Sequence, residues 1–229
     1  MPDYYLSYGL VLIGILITGL AALNVRTTFA RYSKIPNSRG LTGMDVARMM
    51  LEQAGIYDVS IQPIQGNLTD HYSPREKVLR LSESVYSSTS VAAIGVAAHE
   101  CGHALQHKEG YAPLRLRSIS VPLANIGAWL SWPVIILGIA LDWFGLAQLG
   151  IYLFAFVVAF QLITLPVEFN ASRRALTVLE TGGYLSSEEL SGSRKVLTAA
   201  AMTYVAALLS TILQLLRLIM IVGGGRRRR

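Results

Sequence analysis

A chain of 229 residues has room for one catalytic unit and excludes an elaborate multi-domain architecture. A hydrophobic fraction of 52%, a charged fraction of 15% and a mean hydropathy of +0.45 exclude a soluble domain that must clothe itself in polar residues. The single cysteine, Cys101, excludes an intramolecular disulfide framework, and the charge of +6 clusters beside apolar runs without any recognition motif, which points to a lipid bilayer as partner and to no nucleic acid.

Four stretches supply the roughly 20 apolar residues that a membrane span needs, at about 4–24, 119–141, 146–167 and 199–222. The first has no basic residue before it and Arg26, Arg31, Lys34 and Arg39 just after it, the reverse of a secretory signal, so residues 1–24 read as an uncleaved anchor. The polar portion at 25–118 is expected to be catalytic. In it Thr42 caps a helix over about 43–54 that stops at Gly55. Strand-like runs follow at about 58–64 and 77–82, with a turn around Tyr72, Ser73, Pro74 and Arg75. Ser88, Thr89 and Ser90 then offer caps for an apolar helix. Beyond it come a transmembrane hairpin at 119–167, a charged helix at 168–198, and a hydrophobic segment with a basic tail at 199–229.

Lys and Arg number none in 1–23, eleven in 24–118, none in 142–145 and four in 168–198. The positive-inside rule therefore predicts a multi-pass protein of the bacterial cell membrane whose two charged portions face the cytoplasm. Arg226 to Arg229 stand against that rule if the last segment crosses; because the segment carries Gln214 and Arg217, dipping in and returning, or lying along the surface, is the alternative.

The capped helix carries His99, Glu100 and His103 in the run VAAHECGHALQH. Residues four apart share one helical face, so both imidazoles reach one ion, while Glu100 is offset enough to act on a water beside it. An accidental match has a chance of roughly 1 in 200 in a chain this long. Zn2+ fits neutral imidazole and an open coordination position, with Glu100 as general base for peptide hydrolysis. A catalytic zinc needs a third protein ligand, and the candidates are His71, His107, Glu109 and Glu168. His107 reads as a helix-end residue and Glu109 as solvated. Glu168 is an isolated carboxylate at the end of the third apolar span, on the side of the membrane predicted for His99 and His103.

The runs LTDHYSPREKVLRLSE, VAAHECGHALQHKEGYAPLRLRS and LPVEFNASRRAL resemble the YugP-type neutral zinc metallopeptidases of bacterial membranes. More distantly they are similar to Ste24 and HtpX-type membrane peptidases. The resemblance implies an α-helical membrane protein with a small α+β zincin-like portion, with His99, His103 and Glu168 as zinc ligands and Glu100 as base. It also implies an edge strand to which a polypeptide substrate adds; the matching run here, Lys77–Leu81, reads either as that edge or as an ordinary sheet strand. Ser172 stands where the distant relatives carry an acid, so another group has to orient a ligand histidine. Asp70 and His71 read as a turn contact or a lining of the cleft, and Arg173 and Arg174 as headgroup contacts or oxyanion stabilisers.

The expected activity is endopeptidase action at the cytoplasmic face on membrane-linked or misfolded proteins. One alternative is site-2-like intramembrane proteolysis, which needs the motif inside a spanning helix. The other is a non-catalytic scaffold with a structural zinc, which needs four protein ligands.

Overall fold

A computed structural model describes the backbone of residues 2–226 and the side chains of residues 7–223. The side chains of the basic tail at 226–229 lie outside the described residues. The chain is an α-helical membrane protein with a small α+β portion. Helices α1 (Pro2–Tyr32), α5 (Ala112–Ala140), α6 (Phe144–Thr181) and α7 (Ser187–Arg226) each contain a stretch long and apolar enough to cross a membrane. With 38 and 40 residues, α6 and α7 are far longer than a span requires, so each also carries a polar stretch. The third apolar run was expected to end near residue 167, yet its helix continues unbroken to Thr181. Similarly, α7 is one unbroken helix, so its apolar segment does not dip and return. Inside it, Arg217 Nε donates to Ser7 Oγ of α1 at 3.1 Å, which gives the guanidinium a polar partner among apolar neighbours.

Contacts divide the chain into two compact units. The first comprises Met1–Ala22, Leu116–Leu165 and Thr203–Arg229. Its helices approach closely at small residues: a Cβ at Gly138 would meet the Ala147 nitrogen at 2.3 Å, and one at Gly14 would meet Ser210 Oγ at 2.7 Å. Ile135, Ala147, Phe154, Leu218 and Val222 form its buried cluster.

The second unit comprises Leu23–Arg115 and Pro166–Met202. Helix α2 (Gly43–Gln53) starts at a capping box in which the Thr42 hydroxyl accepts from Asp45 N and the Asp45 carboxylate accepts from Thr42 N. The bond from the Thr42 hydroxyl to that carboxylate, with the one from its backbone N–H, lowers the Asp45 pKa.

The sheet has the order β1 (Ser60–Ile64), β3 (Val78–Ser82), β2 (His71–Ser73), with β1 parallel and β2 antiparallel to β3. Of the two readings of Lys77–Leu81, this rules out the edge and leaves the ordinary sheet strand. Strand β3 is central, Leu79 and Leu81 are 0% exposed, and Lys77 lies outside the strand in a left-handed turn at φ 54°. The edges are β1 and β2; β2 has too few residues to show alternation, and two of its three, Tyr72 and Ser73, fall in the expected turn, which lies at 74–77 instead.

Helix α3 (Glu83–Tyr86) is one turn long, and α4 (Val91–Lys108) follows, with the Ser90 hydroxyl accepting from Ala93 N at its start. Apolar nearly all round, α4 is mostly buried: Ile94, Ala97, Ala98 and Cys101 pack with Val46 and Met50 of α2, Leu79 and Leu81 of β3, and Ala175 and Leu179 of α6.

Candidate active site

Two glycines on α4 let neighbouring helices close on the face that carries the histidines. A Cβ at Gly102 would lie 2.4 Å from the Ala171 carbonyl of α6, and one at Gly95 would lie 3.2 Å from Ser193 Cβ of α7. The close approach of α6 brings Glu168 against the motif. Its Oε2 lies 3.3 Å from His99 Nε2 and 3.7 Å from His103 Nε2, and one ligand atom from each of the three residues lies within 4.8 Å of the others. Donors about 2.0–2.1 Å from a tetrahedral zinc stand about 3.3 Å apart, so two imidazole nitrogens and a carboxylate oxygen at these separations fit zinc. Glu168 is 2% exposed, and a carboxylate buried that deeply needs cationic or hydrogen-bonding company.

Further hydrogen bonds determine which nitrogen each histidine presents. His103 Nδ1 faces Gln106 Oε1 at 3.0 Å. Gln106 is fully buried, and its Nε2 is committed to Val167 O at 2.8 Å and Asn170 Oδ1 at 2.9 Å, so its Oε1 must accept from Nδ1–H. His103 Nε2, which faces Glu168, is thereby the ring nitrogen left to take a metal. The chain of polar contacts continues from Asn170 to Arg174 Nε at 2.7 Å and from Arg174 to Glu109 at 2.6 Å. On the other histidine, His99 Nδ1 lies 3.0 Å from Ser172 Oγ. Ser172 is thus the group that partners His99 Nδ1, and it does so without adding a second negative charge.

Glu100 turns the other way, and its Oε2 accepts from Tyr72 N of β2 at 2.9 Å. Tyr72 pairs with Leu79 in β3 but points its N–H to the open edge, so the strand holds the carboxylate in place. Burial lowers the His103 pKa, but the hydrogen bond to Glu168 and the charges of Glu100 and Glu168 outweigh it and leave the pKa raised. The potential that favours a proton at this point favours a metal cation equally.

The remaining expected residues lie outside the ligand group. Asp70 accepts from Ser82 N at 2.7 Å and from Ser82 Oγ at 2.9 Å, tying β2 to the end of β3, and burial raises its pKa. His71 bonds Thr69 O and Arg80, while His107 Nδ1 lies 2.8 Å from the hydroxyl of Tyr72, a phenol whose pKa burial pushes up to about 12. Glu109, expected to be solvated, is exposed but paired with Arg174, and Arg173 is exposed. Gln106 and the Tyr72 N–H were not foreseen. Gln106 sits at i+3 from His103, the spacing that could have flagged it, whereas a backbone N–H leaves no mark in a sequence.

The model of the family described as "Putative neutral zinc metallopeptidase" matches residues 7–223. The chain belongs to this family. It is 48% identical over 206 residues to the "Putative membrane protease YugP" of Bacillus subtilis (strain 168), covering 90% of this chain and 92% of that protein. No solved structure matches. The family agrees with the resemblance read from the three sequence runs, and zinc is both the metal it implies and the one the donor set fits.

Proposed function

We propose that the chain is a membrane-bound endopeptidase whose zinc is held by His99, His103 and Glu168 and whose general base is Glu100. The observation that carries this reading is the convergence of both Nε2 atoms on the Glu168 carboxylate, with the Glu100 carboxylate fixed beside them by the Tyr72 N–H. When bound, zinc supplies Lewis acidity, polarising the scissile carbonyl and making water nucleophilic near neutral pH. Glu100 accepts the water's proton as oxygen attacks the carbonyl carbon, then passes it to the amide nitrogen as the C–N bond breaks. Oε1 of Glu100, which has no hydrogen-bond partner among the described residues, is the oxygen available for that transfer.

The substrate backbone lies along the open edge of β2. A cavity of about 270 Å3 lined by Ile56, Val59, Tyr72, Ala104 and His107 then accepts a substrate side chain. The enzyme works at the cytoplasmic face of the bacterial cell membrane on membrane-linked or misfolded polypeptides. Outside the four helices apolar enough to cross a membrane, α4 favours hydrolysis in water over hydrolysis within lipid.

The test is cleavage of an unfolded protein by purified enzyme. A chelator should abolish it, zinc should restore it, and Glu100→Gln should lower the rate by about 10²–10⁴-fold. Metal-dependent cleavage undiminished in Glu100→Gln would contradict the mechanism.

A further inference from the structure

Within the second unit, the end of α1 and the first turns of α7 flank an open cavity of about 500 Å3, a size typical of small-molecule sites. Arg31 and Tyr32 line it from α1, and Arg194 and Lys195 from α7. The guanidinium of Arg31 lies 5.8 Å, and the ammonium of Lys195 6.0 Å, from the centroid of the same Tyr32 ring. No acidic residue lines the cavity, and among the described residues Arg31, Arg194 and Lys195 form no ion pair. Three like charges gathered without a counter-ion create a potential that an anion relieves.

The lining is graded. On α7, from Arg194 forward through Thr198 to Met202, it passes from basic through polar to apolar; on α1, from Arg31 back through Thr28 to Asn24, it passes from basic to polar, and both helices then continue into their apolar spans. A phospholipid has the same sequence of parts, from phosphate through glycerol to acyl chain. We infer that this cavity binds the phosphate of an anionic phospholipid, held by Arg31, Arg194 and Lys195, with the acyl chains directed along the spans.

Binding here has a structural consequence. A Cβ at Gly192 would lie 2.9 Å from both the Tyr32 ring and Val91 Cγ1, so the wall of the cavity packs on the first residue of α4. A lipid that ties α1 to α7 at this point stabilises the fold around that helix.

Inorganic phosphate shares the headgroup's chemistry, so the test separates the two. Protein in neutral detergent is mixed with phosphatidylglycerol, phosphatidylcholine or inorganic phosphate; bound lipid is counted by native mass spectrometry and the unfolding midpoint is followed by circular dichroism. Wild type should retain phosphatidylglycerol in preference to phosphatidylcholine, with a raised midpoint, and each neutralisation among Arg31→Gln, Arg194→Gln and Lys195→Gln should weaken retention about fivefold. Arg31→Lys should keep it. Equal retention by the triple variant overturns the inference. Displacement of the lipid by millimolar phosphate also overturns it, making the cavity a free-phosphate site. If the triple variant loses its helical signal, Lys195→Gln, at an exposed position, carries the test under the same criteria.

Discussion

Ser172 and Gln106 hold the two histidines through single hydrogen bonds, and in the proposed zinc site partners of this kind tune a ligand without touching the metal. Gln106→Leu removes the acceptor for His103 Nδ1–H and also takes the donor from Val167 O and Asn170 Oδ1, which are otherwise bonded to it. Zinc affinity measured by competition with a chromophoric chelator should fall about 10–100-fold in Gln106→Leu and in Ser172→Ala. Affinity unchanged in both would mean that neither side chain orients a ligand. The grouping of the proposed ligands was legible because helical spacing puts His99 and His103 on one face, and because Glu168 stands alone at the end of an apolar run. The groups that hold them were less so: Ser172 had no acidic character to signal its role, and the grip on Glu100 comes from a backbone N–H whose position depends on sheet pairing.

At the scale of elements, the site depends on how closely α6 can approach α4. Gly102 permits that approach, since a methyl there would fall 2.4 Å from the Ala171 carbonyl, a rigid backbone atom. Gly102→Ala must push the two helices apart and carry Glu168 and Ser172 away from the histidines. It should cost about 1–3 kcal/mol of stability, read from thermal unfolding in detergent, and should lower zinc affinity in the same preparation. A stable variant with wild-type affinity would remove the role assigned to this contact. The four long apolar helices and the capped α2 could be read directly, since length, composition and the Thr42 cap are local signals. The sheet could not. Three-residue β2 carries no periodicity, and whether β3 is central or an edge depends on partners contributed by other segments.

For the whole molecule, the eleven basic residues in 24–118 and four in 168–198 predict that both portions face the cytoplasm, because positive charge resists translocation. Tyr57, which is 82% exposed in the second unit, offers a place to check this. The native Cys101 is buried and does not compete for a label. In Tyr57→Cys, a membrane-impermeant maleimide should label permeabilised cells and leave intact cells unlabelled; labelling of intact cells would place the site on the outer side. The ligand set is tested most directly by the zinc retained after dialysis against one fixed level of free zinc. Wild type and Glu100→Gln should each keep about one zinc per chain, while Glu168→Gln, with its helical signal intact, should lose most of it. Full retention in Glu168→Gln, or loss in Glu100→Gln, would contradict the assignment of Glu168 as ligand and Glu100 as base.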